Sequence, residues 1–275
     1  MIKSATDLRL MAVHAHPDDE STSTGGILAS YALEGVQTIV VTCTNGELGD
    51  GPSGVKPGAD GHHPQKVAAT RLEELRLACK HLGVTHLELL GYHDSGMADW
   101  DYRWQPNVFC NVPIDLVSAR LSHLIERFRP QVVVTYDPDG TYQHPDHLHV
   151  AQSTVLAVET TNIPAKLYFK AHGTTYWNHL HKALAQIGIE YQKPDPDLME
   201  LIEQRIPTTI EVGHVIEQKR SALHAHASQI NSSRAGKLPP DLFKYAFGTE
   251  AYIRAYDTTE SPSFENDLFT GFRAN

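Results

Sequence analysis

The sequence predicts an α/β protein built on a doubly wound, mostly parallel sheet. Three observations carry that expectation. Short apolar runs of strand length alternate with longer segments whose apolar residues recur at helical spacing. Several helical segments stop at a glycine or just before a proline, as helices commonly do. Two histidine-rich turns follow strand-like runs, and open parallel sheets bind ligands beyond the carboxyl ends of their strands.

Taken in order, Leu10–His14 reads as the first strand, and Ser21–Glu34 as one helix closed by Gly35. Gln37–Thr42 is a second strand rich in Val and Ile, ended by the Asn45-Gly46 turn signal. Asn45–Pro64 is a glycine-rich polar loop, long enough inside a compact chain to favour a substrate-facing role. Lys66–Leu82 has Val67, Leu72, Leu75, Leu77, Ala78 and Leu82 at helical spacing and ends at Gly83. Leu87–Leu90 is a short strand, and Ile114–Phe128 a helix stopped before Pro130. Gln131–Tyr136 is the next strand, Asp146–Thr161 a helix, Lys166–Lys170 a strand and His214–Gln229 a further helix.

With 275 residues and 41% hydrophobic content the chain can bury a sizeable core, and no linker-like stretch divides it, so residues 1–275 read as a single domain. Lys plus Arg number 23 against 33 Asp plus Glu, a net −10 with no basic patch, which argues against a nucleic-acid or anionic-membrane partner. Small neutral or weakly charged substrates fit better. The cysteines, Cys43, Cys79 and Cys110, are isolated and odd in number, without metal or redox spacing. The start runs into the first strand without a signal-peptide core, and no 18 apolar residues run together, so a cytoplasmic location is expected.

The chemistry lies in HAHPDDE (His14–Glu20) and QHPDHLH (Gln143–His149). Each sets imidazoles and carboxylates around a proline just beyond a strand end, which is how a divalent-metal site with a spare acid or base is assembled. One His-Pro-Asp arises readily by chance, whereas two in matching contexts imply two halves of one metal hydrolase. If the first strand and Gln131–Tyr136 are neighbours, the halves face each other at the switch point of the sheet. Helices starting near Ser21 and Asp146 would then aim their positive ends into the crevice.

HAHPDDES, HDSGM at His93–Met97 and TYDPDGTYQHPDH resemble the LmbE/PIG-L family of metal-dependent N-deacetylases. Within it the chain is most similar to the actinobacterial branch of mycothiol metabolism, which contains the deacetylase of N-acetylglucosaminyl-inositol and the mycothiol S-conjugate amidase. RLEEL (Arg71–Leu75), AHASQI (Ala225–Ile230) and NDLFTGF (Asn266–Phe272) extend the likeness along most of the chain. The resemblance implies a Rossmann-like, LmbE-like sheet with helices on both faces and an activity that frees acetate and an amine from an amino-sugar conjugate.

Carried over residue by residue, the resemblance implies His16, Asp19 and His147 as metal ligands. Two imidazoles and a carboxylate leave a position open in a catalytic zinc site, although the set also suits ferrous iron or another divalent metal. Asp18 is implied as general base. His144 would stabilise the tetrahedral intermediate or protonate the leaving amine, with Asp146 orienting it and Tyr142 hydrogen-bonding the oxyanion. Arg71 and Asp94 are implied as contacts to the sugar. Where the amidase carries a lysine, two positions beyond the serine matching Ser21, this chain has Ser23, which speaks against the amidase. An idle metal- or sugar-binding module on the same fold would be expected to lack the base or the acid, and both are present. A nicotinamide-dependent oxidoreductase is disfavoured by the missing GxGxxG fingerprint. His14 is expected to pack at the strand end and His149 to point away, while His62, His63, His81, His86, His123, His172, His179, His181, His224 and His226 read as structural or surface residues.

Overall fold

The structure is a computed structural model that describes residues 4–140 and 142–273. Its sheet has seven strands in the order β3-β2-β1-β4-β5-β7-β6. These are β1 (Arg9–His14), β2 (Gln37–Thr44), β3 (His86–Tyr92), β4 (Val132–Tyr136), β5 (Lys166–Ala171), β6 (Thr208–Glu211) and β7 (Thr249–Asp257). The first five strands are parallel, and β7 runs antiparallel between β5 and β6. This is the mostly parallel α/β sheet that the alternating pattern predicts.

Strand β1 pairs with β2 on one side and β4 on the other, with Leu10 opposite Val132 and Ala12 opposite Val134. The chain therefore reverses its direction of winding between β1 and β4, and the turns that leave these two strands emerge side by side. Alternation along β1 sends Met11 and Val13 to one face and Leu10 and Ala12 to the other. The first face packs on α4 (Ile114–Phe128) and α5 (Pro145–Thr161) through Val117, Leu121, Ile125, Val150 and Ala157. The second packs on α2 (Gly25–Leu33), α3 (Pro64–Leu82) and α8 (Ile216–Ala225) through Ile27, Leu28, Leu75, Leu82 and Ala222. Each fully buried Leu, Ile or Val contributes roughly 1.5–3 kcal/mol, so both helix layers are held firmly to the strands that carry the turns.

The single helix expected over Ser21–Glu34 is two: α1 (Asp19–Ser23) and α2, with Thr24 outside helical geometry (φ −132°, ψ 5°). A buried carboxylate makes the break. Glu250 of β7 accepts the Gly26 and Ile27 N–H groups at 2.8 and 3.0 Å, capping a new helix start that sequence spacing does not show. A Cβ on Gly26 would lie 2.6 Å from Val212 and 2.7 Å from Glu250 Oε1, so the close approach requires glycine. The helix expected over His214–Gln229 is shorter, because His226 leaves helical geometry (ψ 57°) and turns its ring inward. Further elements that the sequence reading left unassigned are α6 (Thr174–Gln186), α7 (Pro196–Gln204), β6, α9 (Pro240–Phe247) and β7.

Candidate active site

The turn after β1 carries the first half of the site. Asp18 adopts φ 120°, a region that L-residues other than glycine rarely occupy and that costs roughly 1–3 kcal/mol. Four contacts hold it there. Glu20 Oε2 accepts the Asp18 N–H at 2.9 Å. Arg71 reaches in from α3, donating to the Pro17 carbonyl at 2.5 Å, to Asp18 Oδ2 at 3.0 Å and to the Gly46 carbonyl at 2.7 Å. Burial raises the Asp18 pKa and neighbouring Asp19 adds to it, against the opposing pull of Arg71, so the net direction is up. A raised carboxylate is a stronger proton acceptor, which suits a base.

Asp19 is the hinge between the halves. Its Oδ2 accepts the His16 N–H at 2.8 Å and the Tyr136 hydroxyl at 2.7 Å, which fixes the carboxylate and leaves Oδ1 facing His147 Nε2 at 3.4 Å. His16 Nδ1 is 3.4 Å from Asp19 Oδ2. The implied trio of His16, Asp19 and His147 is thus brought together across the switch point. Among the described residues, the groupings whose ligand atoms all lie within 4.8 Å of one another are His16, His144 and His147, and His16, Asp94 and Asp146; Asp19 belongs to neither. Burial lowers the His16 pKa, but Asp94, Asp146 and Asp19 raise it by more, so it stands well above the ordinary value. Asp19 and Asp94 are displaced downward, against burial, by the imidazoles of His147 and His16 respectively. Buried carboxylates around imidazoles, with Asp146 Oδ1 lacking any hydrogen-bond partner, make a donor set that fits a divalent cation.

Asp146 requires a correction. Its carboxylate does not reach His144: Oδ2 contacts His16 Nε2 at 3.1 Å and accepts the Ser95 N–H at 3.0 Å. His144 is oriented instead by the backbone, because it caps α5 and its Nδ1 accepts the Asp146 N–H at 3.2 Å. That bond leaves Nε2 as the protonated nitrogen of a neutral ring. Burial, then the charges of His16 and His147, push the His144 pKa down to about 3. A neutral donor to a developing oxyanion matches this state; an imidazolium acid does not.

Tyr142 is half-exposed at the mouth of the site, its ring edge-on to His147 at 5.3 Å and its hydroxyl 3.7 Å from Met97 Sδ. Arg71 is buried rather than open to a ligand, and its bonds run to Asp18 and two carbonyls, so holding the base is the role its contacts show. Asp94 is buried, accepts the Gly96 N–H at 2.8 Å and lies 3.6 Å from His16 Nε2. Asp18, Arg71, Asp94, Trp100 and Gln229 nevertheless share one cavity of about 310 Å³ with the histidines.

Two supporting residues receive no site role on sequence grounds. Glu20, fully buried, receives His226 Nε2 at 2.7 Å and the Ser21 hydroxyl at 2.5 Å on Oε1, while its other oxygen holds Asp18. His226 was expected to be structural or surface-exposed, and it is structural, standing directly behind the base. Both lie inside motifs, Glu20 closing HAHPDDE and His226 within AHASQI, which is the one signal that marked them. His14 turns from the cluster to the Thr24 hydroxyl at 2.9 Å, and His149 stands edge-on to Phe109 at 4.8 Å.

Comparison with known proteins bears on this geometry. Residues 11–158 match the family model described as PIG-L, GlcNAc-PI de-N-acetylase. A 1D-myo-inositol 2-acetamido-2-deoxy-alpha-D-glucopyranoside deacetylase of Acidothermus cellulolyticus is 38% identical, over 95% of this chain and 94% of that protein. A mycothiol S-conjugate amidase of Streptomyces coelicolor is 35% identical, over 98% of each. Among solved structures, the N,N'-diacetylchitobiose deacetylase of Pyrococcus horikoshii superposes with a TM-score of 0.61 at 18% identity, covering 96% of this chain and 86% of that one. By the family match and by identity over nearly its whole length, the chain belongs to the PIG-L/LmbE family.

Proposed function

We propose that the chain is a divalent-metal-dependent N-deacetylase of an N-acetylglucosamine-containing conjugate such as N-acetylglucosaminyl-inositol, yielding acetate and a free amine. One observation carries the reading: a partly exposed aspartate with a raised pKa, Asp18, is held in strained geometry directly beside the His16–Asp19–His147 cluster. An idle binding module has no use for that strain. The relatives' named activities point the same way.

His16, Asp19 and His147 are the proposed ligands, with zinc as the metal and ferrous iron as an alternative. When bound, such a metal acidifies water and polarises the amide carbonyl. Asp18 takes a proton from the attacking water and passes it to the departing nitrogen. His144 and Tyr142 donate to the oxyanion, and Asp146 fixes the ring of His16. Arg71 and Asp94 line the cavity for the sugar. We take residues 1–275 as one catalytic domain and place it in the cytoplasm, a reading supported by three free cysteines and by the lack of any helix, among the described residues, long and apolar enough to cross a membrane.

The test is amine release from N-acetylglucosaminyl-inositol by the zinc-loaded protein, alongside N-acetylglucosamine and a mycothiol S-conjugate. His16→Ala, Asp19→Ala and His147→Ala should each lose both turnover and stoichiometric metal by elemental analysis. Full metal content in all three variants would reject the ligand assignment.

A further inference from the structure

One side chain joins the two halves of the site, and it lies in neither histidine segment. Tyr136 ends β4, and the pairing of Ala12 with Val134 brings it level with His14 on β1. It is buried and touches both segments. Its hydroxyl meets the Ala15 N–H and Asp19 Oδ2, each at 2.7 Å. Its ring lies on the imidazole of His147, with centres 3.9 Å apart and planes 13° from parallel, and stands edge-on to His14 at 5.8 Å. Packing between those two imidazoles holds the ring, and so the hydroxyl, in one place.

The backbone fixes the direction of the hydroxyl's bonds. An amide N–H can only donate, so the hydroxyl accepts from Ala15 and its single hydrogen goes to Asp19 Oδ2. Oδ2 also accepts the His16 N–H at 2.8 Å. A carboxylate oxygen offers about two lone-pair sites, and on Oδ2 both are filled. Without those bonds Oδ2 would be as well placed for a cation as its twin. It lies 3.4 Å from His16 Nδ1, while Oδ1 lies 3.4 Å from His147 Nε2. The hydrogen bonds alone make the two oxygens unequal.

On the ligand assignment above, on which this inference rests, we propose that Tyr136 is a positioning residue that limits Asp19 to a single donor oxygen. A chelating carboxylate occupies two positions of a cation, whereas a single oxygen leaves one of them open, as a catalytic site requires. Tyr136 acts through Asp19 by withholding Oδ2, without touching substrate.

The full chain, stripped of metal and reloaded with cobalt(II), tests this, because the visible absorption of cobalt weakens as its coordination number rises. Tyr136→Phe keeps the stack on His147 and deletes the hydroxyl. Its cobalt absorptivity should fall by roughly half or more as Oδ2 joins the cation, and its kcat by roughly 10–100-fold, the usual cost of losing such a support. X-ray absorption of the zinc-loaded wild type is a second measurement that needs no variant: one carboxylate oxygen is expected, without the close carboxylate carbon of a chelate. A chelating carboxylate in the wild type overturns the proposal. So does a cobalt spectrum unchanged in Tyr136→Phe while His16→Ala loses its cobalt, which refutes the role of Tyr136 alone. If His16→Ala binds cobalt as tightly as the wild type, the ligand assignment has failed and the proposal falls with it.

Discussion

Replacing His226 with Ala should destabilise the protein and slow it together, although His226 belongs to none of the groups that touch substrate. The side chains of His226 and Glu20 are 1% and 0% exposed, and they meet at 2.7 Å. Removing the imidazole leaves a buried carboxylate with only the Ser21 hydroxyl and the Asp18 N–H as partners. Breaking a buried pair from one side costs roughly 3–5 kcal/mol, which for a domain of this size lowers Tm on the order of 10 °C. Glu20 also holds Asp18 at φ 120°, so a displaced carboxylate lets the base relax. The pH dependence has a definite sign. Burial raises the Glu20 pKa, but His226 lowers it by more, so its contribution is present above 4.5 and lost as pH falls through the depressed folded value. Burial lowers the His226 pKa, but Glu20 raises it by more, so its contribution is present below 6.5 and lost as pH rises through the raised folded value. The gap in Tm between wild type and His226→Ala should therefore be widest between about pH 4.5 and 6.5 and narrow on either side. Scanning calorimetry across pH 4–9 reads it, with Glu20→Gln/His226→Ala losing less than the sum of the single changes. A Tm change under 2 °C at every pH, or strictly additive losses, would refute the reasoning.

Two further expectations concern the same half of the fold. Asp18→Asn should keep its metal yet lose roughly 10²–10⁴-fold in turnover as the proton acceptor goes, and near-normal amine release would move the base elsewhere. Gly26→Ala should destabilise by about 1–3 kcal/mol as an overpacked site, because the new Cβ falls 2.6 Å from Val212; an unchanged urea midpoint would show that β7 and α2 can part freely.

The parallel part of the sheet was legible because β1, β2 and β4 are buried on both faces and read as unbroken apolar runs. The pairing of β1 with β4, expected on the usual strand order of such sheets, brings the two histidine segments together. The break between α1 and α2 was not legible, since its cause is a carboxylate 224 residues away in sequence. At the antiparallel end β6 alternates buried with open positions over only four residues and β7 over only part of its length, which weakens the pattern. In the site, spacing marked only the two histidine segments, with His16, Asp19 and His147 implied as ligands by the family resemblance. It could not tell which neighbour Asp146 faces, because a residue at the start of a helix offers its backbone N–H to one partner and its carboxylate to another. Nor could it show that Arg71 spends its hydrogen bonds on the turn of Asp18.

The shared family region, residues 11–158, contains every group proposed to touch the scissile amide, together with Glu20 and Arg71, whereas Glu250 and His226 lie beyond it. Part of the support for the chemistry thus comes from a different stretch of the chain. Two side chains of that later stretch reach back to the catalytic turns: the carboxylate that starts α2 and the imidazole behind Glu20. Recombination that exchanges this stretch between relatives would leave the catalytic groups in place, but a graft lacking either support would arrive with its catalytic turn unsprung.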